Sequence, residues 1–292
     1  MATTPPRPGS AAIGIVTVSY GSHDVLPRFL DSAAAASSHP LVIVVVDNKA
    51  ETASVSALAS EAGAQYLPLA TNRGYGDGMN AGVSSLPPEI EWVLISNPDV
   101  ELGPGAIDVL VKAGQADPGV GAVGPAIITD DEVYPSARAV PSLRLGVGHA
   151  LFANIWTANP WTRAYKKESE SAPVRRNAGW LSGASVLVRR SAFEKLGGFD
   201  TDYFMYFEDV DLGYRLGKAG YRNVYEPAAT VIHTGAHSTE GESARMIQAH
   251  HDSARVFLSK KYRGWYLWPV RFVLGIGLSL RSALLKRRAG HH

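Results

Sequence analysis

The chain has 292 residues, 46% of them hydrophobic, which suffices to bury one large core or two small ones in a globular protein. It contains no cysteine, so disulfides, thiolate metal sites and cysteine nucleophiles are excluded together, and a reducing cytosol fits best. The net charge of +1 conceals an asymmetry: residues 260–292 hold eight Lys/Arg and no acid, leaving 20 Lys/Arg against 27 Asp/Glu in the 259 residues before them, and an acidic body without a basic stripe argues against nucleic acid as a partner.

The opening MATTPPRPGS is Pro-rich without an apolar run, so residues 1–10 read as a disordered lead-in and not as a signal peptide. Short β-branched runs then alternate with Ala-rich, helix-capable segments. IGIVTVSY, LVIVVVD, QYLPLA, EWVLISN and VGAVGPAII read as strands, and residues 24–36, 52–62, 76–85 and 104–116 as the helices between them. Leu41 to Val46 is apolar on both faces, as expected of a central parallel strand covered by helices on each side. This rhythm predicts an α/β fold over residues 11–128, a Rossmann-like open and mostly parallel sheet flanked by helices.

Beyond it, residues 129–177 carry scattered Pro, Trp, Arg and Lys with little periodicity, and a connection of that length suits a substrate-covering segment. A second block, completing a half that spans 129–240, follows. WLSGASVLVRR reads as a strand, SAFEKLGGFD as a helix and turn, EDVDLGYRLGKAG as a helix ended by Gly220, and YRNVYEP and ATVIHT as two more strands. Residues 241–292 then form a basic helical C-terminus, with one helix over 243–262. In its final stretch Arg271 and Arg281 bracket nine uncharged residues, too few for a bilayer that needs ~20. Trp265, Tyr266 and Trp268 among Arg and Lys suit an anchor lying on anionic lipid. A helix packed on the body is the alternative, and amphipathicity does not separate the two.

In open α/β sheets ligands bind beyond the carboxyl ends of the strands. Those ends are polar here: Thr17, Ser19 and Tyr20; Asp47 and Asn48; Thr71, Asn72 and Arg73; Asn97 and Asp99. Singly, each is an ordinary cap or turn residue; four groups in one row point to a site. NRGYGDGMNAG would let backbone approach a phosphate or sugar closely. It does not match GxGxxG, and no GxxxxGK[ST] occurs in the chain, which argues against a dinucleotide dehydrogenase and a P-loop NTPase. A carboxylate placed as Asp99 is can hold Mg²⁺ or Mn²⁺ together with phosphate oxygens and water. Neutral imidazole is a second ligand type for Mn²⁺, and His233 also follows a strand.

The other acidic cluster is YFMYFEDVDLGYRL, where Glu208, Asp209 and Asp211 follow an aromatic run. Acids suit a helix's first turn on dipole grounds alone. Beside an apolar wall they are also desolvated and crowded, both of which raise a carboxyl pKa toward the range of a general base. Helical spacing puts Glu208, Asp211 and Arg215 on one face and Asp209 on another, so the acids have different tasks.

VTVSY with VVVDN, TNRGYGDGMN, NPDV, GWLSGA, FMYFEDVDLGYRL and VIHTGAHS together resemble the family 2 inverting glycosyltransferases of the GT-A fold, in particular their bacterial rhamnosyltransferase branch, over roughly residues 13–240. The resemblance implies that Asp47 binds a pyrimidine base with Ser19 and Tyr20 beside it, and that Asn72, Gly74 and Asn80 line the donor pocket. Asn97 and Asp99 occupy the metal motif, usually written Asp-x-Asp, so Asn97 leaves one carboxylate where two are common. Asp209 matches the catalytic base, Glu208 its neighbour, and His233 a metal-binding histidine; Trp180 and Gly183 belong to the strand facing the acceptor. The implied reaction moves L-rhamnose from dTDP-rhamnose, with Mg²⁺ or Mn²⁺, to a polyprenyl-diphosphate-linked saccharide or other glycan acceptor at the cytoplasmic membrane surface, in cell-envelope synthesis. A UDP-galactofuranose or UDP-N-acetylglucosamine donor, and a non-catalytic nucleotide-sugar-binding protein, stay open as alternatives.

Overall fold

The computed structural model describes residues 12–49, 53–142, 174–234 and 243–269. The expected lead-in, most of the aperiodic segment before residue 174, and the tail beyond residue 269 lie outside the described residues.

Strand β1 (Ile13–Ser19) is buried along its whole length because the sheet continues on both sides of it and helices cover both faces. Its side chains alternate between two layers. Ile13 and Ile15 join Phe29 and Leu30 of α1 (Leu26–Ala36) and Ile107 and Leu110 of α4 (Ala106–Gln115). Val16 and Val18 join Met79 and Val83 of α3 (Tyr75–Ser85). Parallel neighbours β2 (Leu41–Asp47), β3 (Gln65–Pro68) and β4 (Trp92–Ser96) complete this half, with α2 (Ala53–Glu61) between β2 and β3.

The remaining strands change the character of the sheet. Its order is β3-β2-β1-β4-β11-β6-β12-β5, with β6 at Val120–Thr129, β11 at Ser185–Arg189, β12 at Arg222–His233 and β5 at Val100–Leu102. Strand β11 enters antiparallel to both β4 and β6. The short β7 (Glu132–Tyr134) and β9 (Arg176–Ala178) add antiparallel edges on β6 and β12, and β8 (Ala137–Arg138) pairs with β10 (Trp180–Leu181) in a separate ribbon. The expected mostly parallel sheet is therefore a mixed one. An apolar run such as Val186–Val188 has the same periodicity in either direction, so pattern alone carries no polarity.

The two strands expected after residue 220 are one strand, β12, with a break in register between Glu226 and Thr230. Pro227 lies in the break and has no N–H to give the ladder, so pairing with β6 stops and resumes after a bulge. The far end of β12 then turns onto β5, pairing Val231 with Leu102 and His233 with Val100.

Two helices frame the carboxylate cluster, α5 (Arg190–Lys195) before it and α6 (Glu208–Lys218) within it. Helix α7 (Ser243–Lys261) packs Phe257 against Tyr203 and Val210, with Trp180, Phe207 and Tyr214 around them. Its Ser253 hydroxyl donates to the Met205 carbonyl at 2.7 Å, and Lys260 pairs with Asp200 and Asp202. Trp265, Tyr266 and Trp268 beyond it are exposed. Among the described residues no helix is long and apolar enough to cross a membrane.

Candidate active site

The register of β1 and β2 sets Ser19 beside Asp47, both fully buried. A buried carboxylate must be hydrogen-bonded, and Asp47 accepts from the Lys49 N–H and the Tyr66 hydroxyl, each at 3.0 Å. Tyr66 is a partner that strand periodicity gives no reason to single out. Ser19 Oγ accepts the Ser22 N–H at 3.3 Å, while the Tyr20 side chain is 56% exposed at the rim.

Asn72 and Asn48 shape the glycine turn. Asn48 Nδ2 donates to the Gly74 carbonyl at 3.1 Å and to Asn72 Oδ1 at 3.4 Å, and Asn72 Oδ1 accepts the Gly74 N–H at 2.9 Å. Gly74 adopts φ +106° and ψ 176°, a region open essentially to glycine alone. A Cβ there would lie 2.2 Å from the Phe204 carbonyl oxygen, and the next residue, Tyr75, donates its N–H to that oxygen at 3.0 Å. The turn is thus a seat for the 203–207 loop. Asn80, expected in the donor pocket, has both ends of its amide engaged on Phe199: Nδ2 donates to its carbonyl and Oδ1 accepts its N–H, each at 2.8 Å. It fastens the segment leading to the carboxylates instead of presenting a free amide.

At the end of β4, the Asn97 N–H is held by the Ala184 carbonyl at 2.9 Å, and Asp99 follows. The antiparallel ladder of β5 with β12 brings His233 across to it, although 133 residues separate them in sequence. The Asp99 carbonyl accepts from the N–H and the hydroxyl of Thr234, at 3.2 and 3.1 Å. Asp99 Oδ1 and His233 Nε2 are 3.2 Å apart, yet each is buried without a hydrogen bond of acceptable geometry. Two buried, unsatisfied donor atoms of hard and borderline type facing each other suit a shared divalent cation. Among the described residues no third His, Asp or Glu joins them, so phosphate and water would complete the shell, as Mg²⁺ and Mn²⁺ sites commonly require. His237 lies outside the described residues.

The carboxylate pair opens α6. Tyr206 and Phe207 precede it in left-handed backbone, with φ of 68° and 66°, a conformation that costs about 1–3 kcal/mol per non-glycine residue and persists only where the surroundings enforce it. Here α7 does so, with His250 against the rings of Tyr206 and Phe207 and Phe257 against Phe207. Glu208 is buried and its Oε2 has no partner. Asp209 Oδ2 accepts the Gly183 N–H at 3.0 Å. Burial raises the pKa of both acids, and the Asp209 charge adds to the rise at Glu208, whereas hydrogen bonds from the Gly183 and Val210 N–H groups draw Asp209 back. The two acids divide accordingly: Glu208 is pushed up to about 8 and keeps its proton at neutral pH, while the N–H groups of Gly183 and Val210 oppose the effect of burial at Asp209 by favouring its carboxylate form. Asp211 has a different task, pairing with Arg215 at 2.5 Å while that guanidinium holds the carbonyls of Leu196 and Gly198 at 3.0 and 2.9 Å.

Tyr75 joins the two halves of the site. Its hydroxyl donates to the Gly183 carbonyl at 2.7 Å, and burial together with the charges of Glu208, Asp209 and Asp99 raises its pKa. It stands within electrostatic reach of Glu208 and Asp209 and of Asp99 at once. Trp180, expected to face an acceptor, donates its indole N–H to the Ala139 carbonyl at 3.1 Å and packs into the α6–α7 cluster; Gly183, in contrast, lies directly against Asp209.

The profile of the family described as "Glycosyltransferase like family 2" matches residues 8–250. The N-acetylglucosaminyl-diphospho-decaprenol L-rhamnosyltransferase of Mycobacterium tuberculosis is 44% identical over 284 residues, covering 94% of this chain and 92% of the relative. The rhamnosyltransferase WbbL of Escherichia coli K12 is 29% identical over 262 residues, covering 87% and 89% of the two chains. Among solved structures, the mannosyltransferase PcManGT of Pyrobaculum calidifontis, in complex with GDP-Man and Mn²⁺, superposes with a TM-score of 0.57 at 17% identity over 96% of this chain and 73% of its own; at that identity the likeness is one of fold, a GT-A-like one. Sheet, motifs and sequence agree, and the chain belongs to glycosyltransferase family 2.

Proposed function

We propose that the protein transfers L-rhamnose from dTDP-rhamnose, with inversion, to a polyprenyl-diphosphate-linked saccharide at the cytoplasmic surface of the membrane, in the synthesis of a cell-envelope polysaccharide. The observation that carries the reaction type is that one turn joins the two polar clusters: Gly183 donates its N–H to Asp209 Oδ2, and the carbonyl of its neighbour Ala184 accepts the N–H of Asn97, two residues before Asp99. The sugar and the lipid-linked acceptor rest on the 44% identity with the mycobacterial rhamnosyltransferase along nearly the whole of both chains. A basic C-terminal segment and the exposed Trp265, Tyr266 and Trp268 support an approach to anionic lipid.

In this reading Asp47, flanked by Ser19 and Tyr20, binds the pyrimidine base, and the backbone about Gly74 borders the sugar diphosphate. Asp99 and His233 would hold Mg²⁺ or Mn²⁺, which when bound would supply countercharge to the diphosphate. Ionised Asp209 accepts the proton of the acceptor hydroxyl as its oxygen bonds to the anomeric carbon, while the bond from that carbon to the diphosphate breaks and dTDP leaves with the electron pair. Protonated Glu208 keeps a second negative charge from being placed next to the base. A single displacement of this kind inverts the anomeric centre.

The test is a panel of nucleotide sugars incubated with a decaprenyl-diphosphate saccharide, with and without EDTA, scored by nucleotide release. Turnover of dTDP-rhamnose, suppressed by chelator and restored by Mg²⁺ or Mn²⁺, is the expected result. Preference for UDP-galactofuranose or UDP-N-acetylglucosamine would overturn the donor assignment, and full turnover in EDTA would overturn the role given to Asp99 and His233.

A further inference from the structure

The Gly183 unit is held from two sides. Its N–H points to Asp209 Oδ2 at 3.0 Å and its carbonyl receives the Tyr75 hydroxyl at 2.7 Å. The adjoining peptide is steadied by the Ala184 N–H on Ser182 Oγ at 3.3 Å. There is little slack: a Cβ on Gly183 would lie 3.3 Å from Asp209 Cβ and 3.7 Å from Tyr75 Cε1. Tyr75 is itself fixed at its other end, since its N–H is bonded to the Phe204 carbonyl and its ring meets Phe199 edge-on at 6.2 Å. One residue therefore ties the glycine turn after β3, the turn between β10 and β11 that carries Gly183, and the loop leading into Asp209 to one another; the single strand expected over WLSGASVLVRR is broken at that turn.

We propose that Tyr75 is a positioning residue for the transfer reaction, acting through the Gly183 backbone to aim its N–H at Asp209 and so hold the base in place and ionised. The inference rests on the assignment of Asp209 as the base. The hydrogen bond from Gly183 favours the carboxylate over the carboxylic acid, and its strength depends on where the Gly183 peptide is held. The charged and titratable groups around Asp209 and Tyr75 are Glu208, Asp99 and Arg138; Tyr75 itself remains protonated, since three acids and burial all oppose its ionisation.

Tyr75→Phe removes the hydroxyl and keeps the ring. The expected result is a fall in kcat of about tenfold, the worth of one well-placed hydrogen bond, with donor KM within twofold of the parent value. The ascending limb of the kcat–pH profile, which reports ionisation of the base, is expected to move to higher pH. In an Asp209→Asn background, where there is no base left to aim, single-turnover rates should be the same with and without the Tyr75→Phe change. Gly183→Ala serves as the second variant: it keeps the hydroxyl but crowds Asp209, whose Cβ lies 3.3 Å from the added methyl, and it should reproduce the loss of kcat and the shift of the profile. An unchanged kcat and profile in Tyr75→Phe, a raised donor KM at unchanged kcat, or equal losses in both backgrounds would each overturn the inference. Should Asp209→Asn alone retain turnover, the base assignment falls instead, which separates the two failures.

Discussion

Replacing Gly74 with alanine probes the joint on which the site is assembled. The residue sits at φ +106°, ψ 176°, and placing an L-residue there costs about 1–3 kcal/mol. The added Cβ would also come within 2.2 Å of the Phe204 oxygen and 2.8 Å of Phe204 C and Cα, all backbone atoms that no rotamer change can clear. The loop has to retreat, and the 3.0 Å bond from the Tyr75 N–H to Phe204 is lost with it, a further ~1 kcal/mol. A total of about 2–4 kcal/mol corresponds to a fall in Tm of roughly 5–15 °C for a chain of this size. Because the loop runs directly into Glu208 and Asp209, turnover should fall by about a hundredfold, the typical consequence of an ångström-scale misplacement. Thermal unfolding and nucleotide release on the same preparation read both effects. A Gly74→Ala protein with unchanged Tm and turnover would refute the claim that this turn seats the loop leading into Glu208 and Asp209.

Raised carboxyl pKa values make the folded protein bind protons that the unfolded chain releases, so Glu208 contributes stability that is present below its unfolded value of 4.5 and lost as pH rises through about 8. The urea midpoint should accordingly drop from about pH 4.5 to about pH 8 and level off above it, and Glu208→Gln should flatten that dependence. Asp99→Ala should weaken Mn²⁺ binding, followed by the ion's paramagnetic resonance, at least tenfold while leaving the fold intact, because the Thr234 contacts are made by the Asp99 main chain; unchanged Mn²⁺ affinity would count against the site. Phe257 is 1% exposed between Tyr203 and Val210, so Phe257→Ala should cost about 3–5 kcal/mol in urea denaturation and lower kcat by freeing the left-handed Tyr206–Phe207 backbone from α7.

Much of this arrangement is legible in the chain itself. Helices expected over 24–36, 52–62, 76–85 and 104–116 appear as Leu26–Ala36, Ala53–Glu61, Tyr75–Ser85 and Ala106–Gln115, since each combines an apolar face with Gly, Pro or Ser punctuation. The polar strand ends do gather at one edge. What pattern does not carry is direction and long-range pairing: nothing in Ser185–Arg189 says that it will insert antiparallel between β4 and β6. The meeting of Asp99 with His233 depends on a three-residue ladder between β5 and β12, and only the family resemblance places those residues together in advance. Side-chain roles are hidden for a related reason. Asn80 and Trp180 look free in sequence but spend their polar groups on the Phe199 and Ala139 backbones. Tyr75, between two glycines, looks like turn filler until the fold brings Gly183 to its hydroxyl.

The most direct test of the central claim is turnover of dTDP-rhamnose by Asp209→Asn, measured beside donor binding by calorimetry. An amide preserves the size of the side chain and cannot take a proton from a hydroxyl, so nucleotide release should fall by about 10²–10⁴-fold while the donor dissociation constant stays within about twofold. Rapid rhamnosyl transfer by that variant would contradict the account.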